Sequence, residues 1–187
     1  MARETLRREL GREERKYLPE FVYGGIDGAV TTFAVVAGSV GAALHSNVVL
    51  ILGFANLFAD GFSMAVSNYL ATKSQTELHV RHRDYAEIQK LGKHPMKTAF
   101  ATFVSFFLIG LIPLLSFVGA AFFPAFASSQ FLASFILTGV ALAIVGAVKG
   151  LVVRKHWLRA AFETLVIGGI AALIAYGVGA MAKSLVG

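Results

Sequence analysis

The sequence has no cysteine. That excludes disulfide scaffolds, thiolate metal sites and cysteine nucleophiles. Charge is scarce as well. Only 15% of the 187 residues are Asp, Glu, Lys or Arg, whereas a soluble domain carries about a quarter. There is no low-complexity tract, no convincing internal repeat, and no apolar stretch before Phe21 of the kind a signal peptide needs. What remains is apolar: 56% of residues are hydrophobic and mean hydropathy is +0.68. This balance excludes a disordered chain, a nucleic-acid-binding domain and an ordinary soluble enzyme. It points to an all-α polytopic membrane protein with the lipid bilayer as its solvent.

A membrane helix needs about 20 mostly apolar residues. The uncharged run from Gly28 to Ala59 is too long for one crossing and breaks at His45-Ser46-Asn47, giving helices near 21–44 and 48–72. The run from Thr98 to Val148 is again too long. Pro124 and Ser128-Ser129-Gln130 divide it into helices near 98–122 and 129–149. A last helix covers about 160–183, for five spans in a domain over 21–187. Residues 1–20 form a polar N-terminal segment, read either as an interfacial helix on anionic lipid or as a solvated tail.

The net charge of +6 does not indicate a nucleic-acid partner, because the cations are sorted by position. All 17 Lys and Arg residues except Lys183 fall in the N-terminal segment, in the connection 73–97 or in the loop after the fourth helix. Five crossings put those three segments on one side, and positive-inside sorting makes that side the cytosol. The expected N-terminus is cytoplasmic and the C-terminus outside.

Two acids lie within spans, Asp27 in the first helix and Asp60 in the second. Each ionised Asp at a helix centre costs about 2.5–3.5 kcal/mol on insertion scales, and such residues mark ion paths or proton relays. The alternative is a protonated Asp that only bonds across helices. Gly24, Asp27, Gly28 and Thr31 share a helix face. The Gly24/Gly28 step fits close approach of another helix, including one from a second copy. Asn56, Asp60, Ser63 and Ser67 form a polar stripe flanked by Met64 and Asn68, which lipid would not tolerate. Met64 reads either as core filler or as a soft ligand that tilts an oxygen site toward a transition metal. The connection 73–97 reads first as a solvated charged extension of the second helix. Within it Glu77, His79, His82, Asp84 and Glu87 are the candidates for cytosolic ion capture, with His79 and His82 at i, i+3.

Two stretches, Tyr23-Gly24-Gly25-Ile26-Asp27-Gly28-Ala29-Val30-Thr31-Thr32 through Gly38 and Ala59-Asp60-Gly61-Phe62-Ser63-Met64-Ala65-Val66-Ser67-Asn68 through Ser74, resemble the vacuolar iron transporter (VIT) family. The resemblance implies proton-coupled export of Fe2+, and often Mn2+, from the cytosol by a homodimer whose ion path lies between the two copies of the first helix. It implies Asp27 and Met64 as metal-binding residues within the membrane and Glu20 as the acid at the cytoplasmic entrance. Asn56 stands where plant-type members have an acid, and an acid stands instead at Asp60. The connection 73–97 is far shorter than the Glu-rich domain of those members, which looks prokaryotic and suggests an inner (plasma) membrane; a eukaryotic member would sit in the vacuolar membrane.

The candidate metal set is therefore Asp27, Met64, Asp60, Glu20, Asn56 and Asn68, acting on a transported ion, with no catalytic residues and no cofactor. The divalent ion displaces protons from buried acids and is released when they are reprotonated. Two rivals are an intramembrane aspartyl protease using Asp27 and Asp60, against which the missing Gly-x-Gly-Asp motif counts, and a non-transporting membrane adaptor.

Overall fold

The computed structural model describes residues 2–81 and 92–186, with side chains from Lys16 onward except His79 and Pro124. Six α-helices account for nearly all of it: α1 (Ala2–Gly41), α2 (Ser46–Arg81), α3 (Pro95–Gly110), α4 (Ile112–Phe122), α5 (Gln130–Val152) and α6 (Trp157–Val186). No strand occurs among the described residues.

Four segments are long and apolar enough to cross a bilayer: Lys16–Gly41, Ser46–Leu78, Gln130–Val152 and Trp157–Val186. The joined pair α3 and α4 makes a fifth when counted as one bent span. The outer faces carry large apolar side chains that water would not accept, such as Phe62 (65% exposed) and Leu173 (73% exposed). The protein is integral to a membrane.

The polar N-terminal segment is continuous with the first span. α1 runs unbroken through Pro19. Proline removes one backbone donor, and the turns on either side carry the helix across that gap. The third span differs from the single helix expected near 98–122. It bends by 47° between Gly110 and Ile112. Pro113 sits in the first turn of α4 and donates no backbone bond to the preceding turn. Its carbonyl accepts instead from the Ser134 hydroxyl of α5 at 2.7 Å.

α1 is the central helix and packs against α2, α3, α4, α5 and α6. Glycine makes this possible. A Cβ on Gly24 would collide with the Ser105 side chain and the Thr102 carbonyl, and one on Gly28 with the Phe106 carbonyl. The small-residue step is thus filled by α3 of the same chain, not by a second copy. The apolar core beneath it is Phe33, Val36, Val49, Leu57, Phe106, Leu114 and Phe117.

Glu20, Lys93 and Lys149 mark one end of the bundle, which we term the basic end. Ser46 and Gln130 mark the other, where the Gln130 amide donates to the Ser46 hydroxyl at 2.6 Å.

Candidate functional site

α1 and α2 form an antiparallel hairpin closed by residues 42–45. Asp27 precedes Gly41 by as many residues as Asp60 follows Ser46. At about 1.5 Å per residue, both carboxyls lie about 21 Å from the turn, at one depth inside the apolar layer. Both are half-buried, and Asp60 is close enough to act electrostatically on Asp27. The ion pairs among the described residues are Lys73–Glu77 (3.9 Å), Lys93–Glu20 (2.5 Å) and Lys149–Glu163 (3.7 Å). Neither membrane-depth Asp therefore has a cationic partner among them.

The same register sets Thr31 level with Asn56, Tyr23 with Met64 and Glu20 with Ser67. Asn56 is half-buried one turn from Asp60, and its Nδ2 is buried with no partner. Buried amide groups are nearly always bonded. Turning the amide over presents its carbonyl oxygen at the same spot. The Thr32 hydroxyl is likewise buried and unpartnered, whereas Thr31 donates to the Asp27 carbonyl at 2.8 Å.

Met64 is half-buried and packs against the apolar core cluster. Ser63 and Ser67, expected to line protein or water, are exposed in the single chain. Asn68 has a structural engagement. Its Nδ2 donates to the Thr102 hydroxyl at 2.6 Å, and one turn further the Thr72 and Thr98 hydroxyls are 3.1 Å apart. These two bonds fix the rotation of α2 against α3, and with it the direction of Asp60 and Met64. Thr102→Val should strand the Asn68 amide, costing about 1–3 kcal/mol and lowering the melting temperature in detergent. Ser67→Ala, at an exposed position, should leave it unchanged.

Glu20 lies at the basic end of α1, bound to Lys93. Glu77 pairs with Lys73 on the exposed end of α2, a contact worth little. Of the other capture candidates, His82, Asp84 and Glu87 lie outside the described residues, and so does the side chain of His79.

A residue absent from the sequence-based set is Lys149. It lines a cavity of about 410 Å³ between α1, α5 and α6, together with Pro19, Val22, Tyr23, Ile26, Asp27 and Val30. Asp27 thus borders both the α2 side and this opening. The available signal was a single cation, Lys149, ending a long uncharged run. Among the described residues no three His, Asp or Glu side chains converge to hold a metal. In one chain the donors within about a turn of this depth on α1 and α2 include the carboxylates of Asp27 and Asp60, the amide of Asn56 and the thioether of Met64.

The sequence model of the VIT family matches residues 18–90 and 78–180. The chain belongs to the VIT family. The match takes in Asp27, Asp60 and Met64 and begins where the charged extension of α1 ends. The chain is similar to a vacuolar iron transporter of Toxoplasma gondii, with 31% identity over 91% of this chain and 76% of that protein. It is similar to vacuolar iron transporter 1 of Eucalyptus grandis, with 28% identity over 89% of this chain and 85% of that protein. It also matches vacuolar iron transporter 1 of Arabidopsis thaliana, with 28% identity over 84% and 82% respectively. A VIT-family protein is a transporter and not an enzyme, so the protease alternative is set aside.

Proposed function

We propose that this VIT-family protein exports a divalent transition metal, Fe2+ or Mn2+, from the cytosol in exchange for protons, through a path lined by α1 and α2. The observation that carries the reading is the pair Asp27 and Asp60, level with each other on neighbouring helices and in no ion pair among the described residues. Two neighbouring half-buried acids hold their negative charge at high cost unless positive charge is supplied. A divalent metal supplies it in one state and protons in the other, so loading metal from the cytosol releases protons and reprotonation on the far side expels the metal. Met64 and Asn56 add a soft and a neutral donor, a mixture that suits Fe2+ or Mn2+. The basic end faces the cytosol, since the cations gather there. The short connection between α2 and α3 favours a prokaryotic plasma membrane.

The homodimer belongs to the same proposal. One chain offers too few ligands, and the hydroxyls of Ser63 and Ser67 lie exposed on the face that carries Asp60. A second copy against that face covers the hydroxyls and doubles the carboxylates.

The test is metal flux in proteoliposomes across an imposed pH gradient. Uptake of Fe2+ or Mn2+ that follows the gradient supports the reading; a chain that carries neither metal overturns it. At equilibrium, Mn2+ at a hundred times its dissociation constant should stabilise the detergent-solubilised protein by about 2.7 kcal/mol, seen as a higher melting temperature. A non-transporting adaptor shows no such rise.

A further inference from the structure

Three contacts fasten the start of α3 and the residues before it onto α1. The Lys93 ammonium lies 2.5 Å from Glu20 Oε1. The backbone N–H of His94 donates to the Tyr17 hydroxyl at 3.0 Å. The Lys97 ammonium stands 5.9 Å from the centroid of the Tyr17 ring. Tyr17 and Glu20 are one turn apart on α1, so a single face receives all three.

The Glu20–Lys93 pair is incompletely satisfied. The Glu20 side chain is 14% exposed and that of Lys93 29%. Glu20 Oε2 is buried and has no hydrogen-bond partner. A carboxylate offers about four acceptor positions over its two oxygens, and one ammonium on one oxygen leaves most of them, including all of Oε2, unused. Lysine is a point charge on a flexible stem, without the fork that lets arginine grip both oxygens. Glu20 also stands two turns from Asp27 on the same helix, about 10 Å nearer the basic end. It is the acid of α1 nearest to Asp27 on the side of the basic end.

We propose that Lys93 is a built-in counter-cation for Glu20, displaced when a divalent ion arrives and takes both carboxylate oxygens. The proposal rests on the transport reading of Asp27 and Asp60 and adds to it the residue that sets how readily metal is captured. A monovalent ion gains no more Coulomb energy from Glu20 than the ammonium it must remove. A divalent ion gains about twice as much. Lys93 therefore lowers the apparent affinity for metal and biases capture toward divalent ions. Its release also removes one of the three contacts that hold the start of α3 and the residues before it to α1.

Two measurements on the full chain test this. In proteoliposomes with an imposed pH gradient, Lys93→Met should lower the Mn2+ concentration for half-maximal uptake by about threefold, with the maximal rate changed less. Lys93→Arg, whose fork grips the carboxylate harder, should raise it. On a Glu20→Gln background, Lys93→Met should have no effect, the signature of a direct coupling. Equilibrium binding of Mn2+ to the Asp27→Asn/Asp60→Asn double variant in detergent, read from the electron-spin resonance signal of free Mn2+, isolates the entrance from the deeper site. There Lys93→Met should tighten binding about threefold and Glu20→Gln should remove it. Half-maximal uptake and binding that ignore Lys93, or a Lys93→Met effect that persists without the Glu20 carboxylate, overturn the displacement. A chain that binds Mn2+ in this pattern and moves none upholds the displacement and overturns the transport reading.

Discussion

Replacing Asp27 by asparagine is expected to reduce pH-driven Mn2+ or Fe2+ uptake by at least about tenfold, since a charged ligand whose loss costs 1.4 kcal/mol accounts for each factor of ten. The same substitution should raise the melting temperature of the metal-free protein. Asn keeps the shape of Asp and spares the metal-free protein the cost of either protonating or holding charged one of two neighbouring half-buried acids that lack a cationic partner among the described residues. An uncompensated buried charge is destabilising. Added Mn2+ should then stabilise the variant much less than the wild type. A structural role for Asp27 predicts the reverse: a lower melting temperature with uptake retained by whatever protein stays folded. The pairing of higher intrinsic stability with lost transport is therefore diagnostic, and both are read on one preparation.

A large loss of stability is expected from substitution at Gly28. A Cβ there meets the backbone carbonyl of Phe106, which cannot move aside as a flexible side chain can. Gly28→Leu must push α3 from α1 or displace α1 from the axis of the bundle. Overpacking of this kind costs about 1–3 kcal/mol when side chains can adjust, and a backbone obstruction places the expected loss at the upper end. The control is Gly169→Leu on α6, where nothing lies within 4 Å of the added Cβ. Exchanging glycine for a better helix former at an open position gains about 0.8 kcal/mol. In detergent the first variant should melt well below wild type and the second at or above it. Equal melting temperatures would contradict the close packing of α1 on α3.

Hydropathy carries the helical fold, because bilayer thickness converts directly into span length. The break expected at His45-Ser46-Asn47 overlaps the turn 42–45 only at His45, since α2 already begins at Ser46. Asp27 and Asp60 stand out in the sequence because a charge within a span is costly, and the symmetry of the hairpin then puts them level. The partners of those residues were not legible. Gly24 and Gly28 announce that some helix comes close, but spacing alone does not say whether it is α3 or a second copy. Asn68 looks like a ligand from its place on a polar stripe. Only the packing of α2 on α3 shows its amide bonded to Thr102. Glu20 and Lys93 are 73 positions apart, so no periodicity links them. The bend at Gly110 to Ile112 depends on how one proline's missing donor is accommodated, which local sequence does not determine. Lys149 shares a cavity with Asp27 because α5 crosses α1 at that level, another consequence of packing.

The acids at 27 and 60 are expected to exchange protons for a divalent metal. This exchange is tested most directly by counting protons released when Mn2+ is added to the purified protein in weakly buffered detergent solution, followed with a pH-sensitive dye. The account predicts release that saturates with metal binding in the wild type, is reduced in Asp27→Asn or Asp60→Asn, and is absent in the double variant. Tight Mn2+ binding without proton release in the wild type, or undiminished release from the double variant, would contradict it.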